Sequence, residues 1–339
     1  MSLSHDPPSS ATPAPAGRVV ALCGGVGGAK LALGLQAVVA GSALTVVVNT
    51  GDDFEHMGLH VSPDLDTVLY TLAGLSDAGR GWGRADETWN VMAALEALGG
   101  ESWFSLGDRD LAVHLERTRL LRAGHTLTAI MAELAQRLGV RAELLPMTDA
   151  PLRTAVHTAE GVLPFQHYFV KHRCEPAVTA ISFEGAEDAR ATSAVLDALA
   201  DRRLRAVVVC PSNPFLSVDP ILAVPGIRAA LSAMSAPVVA VSPIIAGRAV
   251  KGPTAKIMGE LGLSVTSRTV AEHYAGVIDG MVIDRSDAAD ADTLDIAVAV
   301  ADTMMRSLDD KIGLARAVLA FAATLHGVPV RRRHPGMSA

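Results

Sequence analysis

Aromatic residues make up only 4% of this 339-residue chain. A core with so few rings must be built from Ala, Val and Leu, the side chains that let helices lie close on a sheet. Cysteine is scarce too, with Cys23, Cys174 and Cys210 the whole complement. None sits at metal-ligand spacing, and Cys23 and Cys210 end apolar runs, as small buried residues do. This is the pattern of a reduced, cytoplasmic protein rather than a disulfide scaffold. No apolar run reaches the length of a membrane span. An excess of positive charge is also missing: 29 Lys and Arg face 36 Asp and Glu, for a net charge of −7. That excludes the broad basic face that nucleic acid or an anionic membrane requires. The one dense basic run, Arg331-Arg332-Arg333-His334, reads as solvated tail.

Half of the residues are hydrophobic, ample for a large core. Residues 1–17 are rich in Pro, Ser and Ala and lack the basic start and apolar middle of a secretory signal, so a disordered tail is expected. From Arg18 the chain alternates. Short β-branched runs at 19–22, 44–48, 206–210, 238–241 and 280–283 read as buried strands. Helical spacing appears at 29–39, 191–200, 227–233, 254–261 and 311–325. Between 75 and about 180 the alternation is interrupted by helices at 89–98, 108–121 and 127–138, then strands at 141–147, 154–157, 162–170 and 176–182, with a hairpin turn at Glu160-Gly161. The pattern predicts one Rossmann-like α/β domain over 18–330, with a mostly parallel sheet, helices on both faces, a helical plus small β insertion over about 75–180, and a flexible tail over 331–339. The insertion should stand above the carboxyl edge of the sheet.

The run at 44–48 ends in Asn49-Thr50-Gly51, where Asn49 can bond its own backbone and Gly51 allows positive φ. Asp52, Asp53, Asp64 and Asp66 follow within fifteen residues. Carboxylates crowded at a strand's carboxyl end sit where open α/β sheets bind ligands. A divalent cation relieves their repulsion, and a set of oxygen ligands alone suits magnesium with a phosphate co-ligand. The plain alternative is a polar turn followed by an Asp66-Thr67 cap on a helix over 68–73.

Gly24-Gly25-Val26-Gly27-Gly28-Ala29-Lys30 follows the first strand. It fails the dinucleotide fingerprint, which needs Gly at position 30, and the phosphate loop, which needs Gly at 29 and Ser or Thr at 31. Strand, glycine amides, helix N-terminus and lysine still make an anion site, with Gly25, Gly27, Gly28 and Lys30 as its candidates. Close helix–strand packing is the other use of such glycines. The loop Pro211-Ser212-Asn213-Pro214 also follows a buried strand, and Asn213 offers donor and acceptor together, which suits a base edge. At 242–248 a third strand-end loop brings Gly247 and Arg248, with Lys251 nearby, as partners for phosphate or carboxylate. Asp108, Arg109 and Asp110 open a helix as caps or ion-pair partners.

Taken together and in order, GGVGGAK, VVNTGDD, SPDLDT, GWGRADETWN, WFSLGDRDLA, PSNP and SPIIAG resemble the 2-phospho-L-lactate transferase family of coenzyme F-420 biosynthesis, over about Arg18 to Ile283. The resemblance implies a magnesium-dependent transferase. Its acceptor is the deazaflavin Fo. Its donor is a three-carbon phospho-acid, phosphoenolpyruvate or 2-phospholactate, joined through a diphosphate to guanosine. The ribityl hydroxyl of Fo attacks, GMP leaves, and F-420-0 or its dehydro form results. Asp52 matches the family's metal-binding aspartate and takes the catalytic role, with Asp53, Asp64 and Asp66 as further metal candidates. The glycines, Lys30, Ser212, Asn213 and Arg248 fall to the nucleotide and its phosphates, and Asn49, Thr50, Trp82 and Arg109 to the deazaflavin. A homodimer is implied by the family alone. A related branch, a sugar-nucleotide-binding regulator of gluconeogenesis and cell-wall growth, is the alternative. An NAD-linked oxidoreductase is disfavoured by Lys30.

Overall fold

The computed structural model describes residues 17–77, 79–250 and 252–326. The two expected tails and Lys251 lie outside the described residues, apart from Gly17. Seven strands form the central sheet: β1 (Arg18–Cys23), β2 (Leu44–Val48), β3 (Glu143–Pro146), β4 (Leu204–Val209), β5 (Val238–Val241), β6 (Gly280–Asp284) and β7 (Ala297–Ala301). Their order is β7-β6-β5-β4-β1-β2-β3, and every pairing is parallel. The sheet grows from β1 in two directions, so β1 and β4 flank the point where its order reverses. Ligands bind outside the strand ends at such a point.

The strands are parallel because both faces are covered, and the alternation within β1 shows it. Val19, Ala21 and Cys23 join one buried cluster with Leu31, Leu35, Leu69 and Val318. Val20 and Leu22 point the other way, among Leu199, Leu222, Ile227 and Met258. The first face is covered by α1 (Gly25–Val38), α2 (Pro63–Leu72) and the closing helix Leu308–Leu325. Gly34 in α1 meets the backbone of Lys311 so closely that no Cβ fits, which fixes the closing helix against α1.

Between β2 and β3 the chain makes a short hairpin (Phe54–His56 with Leu59–Val61), α2, and three further helices: α3 (Asn90–Ala97), α4 (Asp108–Arg122) and α5 (Leu127–Arg137). Between β3 and β4 a three-stranded antiparallel sheet forms from Arg153–Thr158, Gly161–Pro164 and Val178–Glu184. The strand expected at 141–147 is thus the edge of the main sheet, paired with β2.

Some elements differ from the sequence reading. The strand expected over 162–170 ends at Pro164, and a helical turn follows at His167–Lys171. Pro cannot extend a ladder, and the turn lets Phe165 and Phe169, four apart, stack at 5.4 Å. The helix expected from residue 29 begins at Gly25, and the one expected from 68 begins at Pro63, so the glycine run and the second acidic pair lie in first turns rather than in loops. Strand β7, the helix Ser267–His273 and the hairpin after β2 were not anticipated. No single helix among the described residues is long and apolar enough to cross a membrane.

Candidate active site

The loops after β1 and β4 are locked together. Ser212 Oγ donates to the Gly24 carbonyl at 2.8 Å and accepts from the Gly24 amide at 3.1 Å. A Cβ on Gly24 would stand 2.5 Å from Asp64 Oδ2, and one on Gly27 would stand 2.5 Å from the Pro211 carbonyl. Gly28 faces Ser212 and Cys23 with as little room. Gly27 and Gly28 therefore serve close packing of α1 on the β4 loop, and Gly24 the close approach of Asp64 and Ser217. Gly25 differs: its φ is +61°, space around it is open, and its amide donates to Asp64 Oδ1 at 2.6 Å.

Strand β2 delivers the acidic loop. Asn49 Oδ1 accepts from the Gly51 amide at 2.7 Å, the expected side-chain turn. Gly51 itself has no positive φ. It is needed because a Cβ would meet Thr154 Oγ1, Asn49 Oδ1 and Pro220 within 3 Å. Asn49 Nδ2 then donates to Asp64 Oδ2 at 3.0 Å, to the Leu216 carbonyl at 3.2 Å and, at 3.4 Å, to Asp52 Oδ1. Gln166 Nε2 reaches Asp52 Oδ2 at 3.4 Å. Asp53 Oδ2 accepts from Ser62 Oγ and faces His60 Nε2, while its Oδ1 is buried with no partner. Asp52, Asp53 and Asp64 are all buried. Burial, then the neighbouring charges of Asp64 and Asp53, push the Asp52 carboxyl well above the usual range. Burial pushes Asp64 up to about 6.

No Lys or Arg among the described residues forms an ion pair with these three. A buried, all-oxygen set with an orphaned carboxylate oxygen and raised pKa values fits a hard divalent cation such as magnesium.

Asp66 has a different environment. Both of its oxygens accept from the guanidinium of Arg117, a side chain with no exposure at all. His114 stands 3.7 Å from Asp66 and 3.3 Å from Asp110, and Tyr70 donates to Asp110 at 2.6 Å. Asp66, Asp110 and His114 are close enough to share an ion. The Arg117 charge already neutralises Asp66, so this group reads as framework.

A cleft of about 660 Å³ opens over these loops. Gly25, Gly27, Lys30, Asp52, Asp64, Asp66, Trp82, Ser212 and Asn213 line it, so most of the residues singled out in sequence converge there. Lys30 Nζ donates to the Met305 carbonyl at 3.1 Å from the cleft wall. Asn213 Oδ1 accepts from the amides of Phe215 and Leu216, and its buried Nδ2 has no partner. Trp82 is 48% exposed, with Arg80 stacked over it and over Trp89. Asn49, Thr50, Asp53 and Gly28 lie behind the surface of this cleft rather than on it. Arg109 and Arg248 are exposed and outside the lining.

Sequence reasoning missed Gln166, which had no motif to announce it, and Ser217, packed against Gly24. It also missed the wall of Trp103, Phe104, Phe165 and Phe169. Trp103 and Phe104 begin the segment WFSLGDRDLA, so they were within reach of the residues quoted for the resemblance.

The fold and cleft define a doubly wound α/β protein with an acid-lined ligand site at its switch point. Residues 19–311 match the family model described as 2-phospho-L-lactate transferase CofD, and the chain belongs to that family. It is 41% identical over 314 residues to the phosphoenolpyruvate transferase of Streptomyces griseus, covering 90% of this chain and 98% of that one. It is 38% identical over 304 residues to the 2-phospho-L-lactate transferase of Methanosarcina mazei, covering 89% and 99%. Among solved structures it resembles a upf0052 family protein from Bacillus halodurans, with a TM-score of 0.57, 17% identity, and coverage of 90% and 99%, a likeness of fold alone. The protein is thus an enzyme of the F-420 type that transfers a phosphate-containing group.

Proposed function

We propose that this enzyme moves phosphoenolpyruvate or 2-phospholactate from a guanosine diphosphate-linked donor to the ribityl hydroxyl of Fo, releasing GMP. The supporting observation is one cleft that holds both Asp52 and Asp64, carboxylates with no Lys or Arg ion-pair partner among the described residues, and the unpartnered amide donor of Asn213. In the reaction the ribityl oxygen bonds to the acid-bearing phosphorus while the bridging P–O bond breaks. GMP leaves with that electron pair, and the hydroxyl proton passes to the Asp52 carboxylate or to water. Such a transfer depends on positioning and charge neutralisation more than on covalent help from the protein.

Asp52 and Asp64 would hold magnesium, whose chemistry there is neutralisation of the diphosphate. Asp52 also orients the attacking hydroxyl. Asp53 and Asp66 support the loop and helix that carry these two. The Gly25 turn and Lys30 face the phosphates, Asn213 the guanosine, and Trp82 the flat deazaflavin, for which an aromatic face is a ready surface. A homodimer is part of the same reading and rests on the family, and a cytoplasmic location rests on the scarce, unpaired cysteines of the sequence. Of the two branches weighed in sequence, no observation favours the sugar-nucleotide regulator. The test is to incubate the protein with Fo, magnesium and each guanosine-linked donor and weigh the product by mass spectrometry. A mass gain on Fo equal to the phospho-acid supports the proposal, and unchanged Fo with every donor sinks it.

A further inference from the structure

A second cavity, of about 440 Å³, shares Asp52, Phe165 and Gln166 with the main cleft, so those three form a common wall. Arg153 supplies the only guanidinium in its lining. Nη1 of Arg153 donates to the Leu152 carbonyl at 2.9 Å, and no carboxylate pairs with the group among the described residues. This holds although Glu184 is its register partner on the neighbouring strand. The Arg153 charge is near enough to Asp52 to draw that carboxyl's pKa downward, against the larger effects that raise it. Beside it Thr154 is 2% exposed, and its hydroxyl has no hydrogen-bond partner. His167 also lines the space. Burial and then the Lys171 charge lower its pKa, so its ring is a neutral hydrogen-bonding group. The remaining acids are Asp53, which is buried with its Oδ2 on Ser62 and His60, and Glu55 and Glu184, which are exposed, where water and salt screen them.

We propose that this second cavity receives the three-carbon acid of the donor, with Arg153 binding its carboxylate. The inference rests on the transferase reading above and adds where the acid lies. The reacting phosphorus must stand at Asp52, between nucleotide and acid. The main cleft offers the nucleotide Asn213 and Gly25, and it must also hold Fo. In the main cleft the cationic side chains are Lys30, assigned above to the phosphates, and Arg80, paired with Asp77 and stacked on Trp82 and Trp89, so the acid's carboxylate would lie near Asp52 and Asp64 without a cation of its own, a costly arrangement in a buried site. A guanidinium not committed to another carboxylate is the group that pairs with it best, through two parallel hydrogen bonds. Thr154 Oγ1 provides a further donor.

The experiment compares wild type, Arg153→Ala and Arg153→Lys with two ligands: the enolpyruvyl-bearing guanosine donor, and the β-ethyl ester of GDP, which lacks the carboxylate, measured as an inhibitor. Arg153→Ala is expected to raise KM for the acid-bearing donor by about tenfold or more, the size of a lost charge-assisted contact. Arg153→Lys should recover part of that. KM for Fo and the inhibition constants of GDP and of the ethyl ester should stay as in wild type. An unchanged donor KM overturns the assignment. So does an equal loss toward donor, GDP and ethyl ester, which would make Arg153 a structural residue. A wild type that transfers nothing from any donor removes the transferase reading, and this inference with it.

Discussion

Asp64 and Asp66 stand two residues apart in the first turn of α2, both buried, both in reach of the helix dipole, and they differ in what they face. Asp66 is held by a fully buried Arg117, with His114, Asp110 and Tyr70 around it. Burial disfavours the Arg117 charge, but Asp66 outweighs it and holds the guanidinium pKa above its ordinary value. Asp64 faces amides, Asn49 and two more carboxylates, and carries its charge poorly. One carboxylate is neutralised by the protein itself. The other, on the proposed function, is left for the magnesium the enzyme binds. The same half-turn of helix therefore divides framework from chemistry, and substitutions on the two sides should fail in different ways.

The largest effect is expected on the framework side. Arg117→Leu leaves Asp66 buried without a counter-charge, and breaking such a pair costs about 3–5 kcal/mol. The melting temperature should fall sharply, with or without nucleotide and magnesium. A variant as stable as wild type, assayed by calorimetry, would make Asp66 a free acid after all and open the Asp66–Asp110–His114 group to a cation.

On the other side Asp52→Asn keeps the shape and removes the charge. Losing a charge that stabilises the transition state costs about 3–4 kcal/mol, so turnover of Fo should drop a hundredfold or more. Stability without metal should hold or rise, because a buried carboxylate repelled by Asp64 and Asp53 is relieved. An active variant with unchanged magnesium dependence would move the role to Asp53 or Asp64.

The two sides also differ in pH response. Burial pushes the Asp64 carboxyl up to about 6 in the folded protein, from its ordinary value of 3.8. The folded state thus binds its proton more tightly than the unfolded one. Its contribution to stability is greatest in acid and is lost as pH rises from about 4 to about 6, by roughly 3 kcal/mol at most. Asp52 acts in the same direction. In metal-free buffer the gain in melting temperature of Asp52→Asn over wild type should therefore widen between pH 4.5 and 7.5. Added magnesium with GDP should raise wild type more than the variant at pH 7.5. A gap that narrows with rising pH contradicts the shift.

Much of this architecture was legible because parallel strands are buried on both faces. Such strands read as unbroken apolar runs, and β2 was placed to the residue. Strand β7 escaped because it lies at the sheet edge, where Ala297, Val298, Ala299 and Val300 stay partly exposed after an Asp-rich stretch. The acidic loop was legible as a cluster of like charges, but the division within it was not. Asp66 meets Arg117 across 51 residues of sequence, and no local spacing encodes that distance. The glycine run was read as a site for anions with close packing as its other use, and three of its members face backbone or side chains with no room for a Cβ, as that other use requires. Periodicity detects a residue's face, not how near the next element comes.

The smallest effect is expected at Asn213, where one side chain does both jobs. Its Oδ1 accepts from the amides of Phe215 and Leu216 at 3.0 and 3.2 Å and so fixes the loop. Its Nδ2 is buried without a partner at the cleft. A donor left unsatisfied in the free protein and filled by a ligand is worth roughly 1–3 kcal/mol, or about tenfold and upward in affinity. Asn213→Ala removes both functions, so it should weaken GDP binding and also lower the melting temperature, by the ~1 kcal/mol typical of a lost cap. Asn213→Asp keeps the accepting oxygen and replaces the donor with a second acceptor that carries a negative charge, so its effect on GDP combines the lost donor with repulsion of the diphosphate. It should therefore melt near wild type and still bind GDP about tenfold more weakly in calorimetry, with UDP, already weak in wild type, changing less. Equal binding of GDP and UDP by wild type would count against a guanosine-linked donor. An Asn213→Asp variant that keeps wild-type GDP affinity would reduce Asn213 to a cap and leave the base contact to another wall of the cleft.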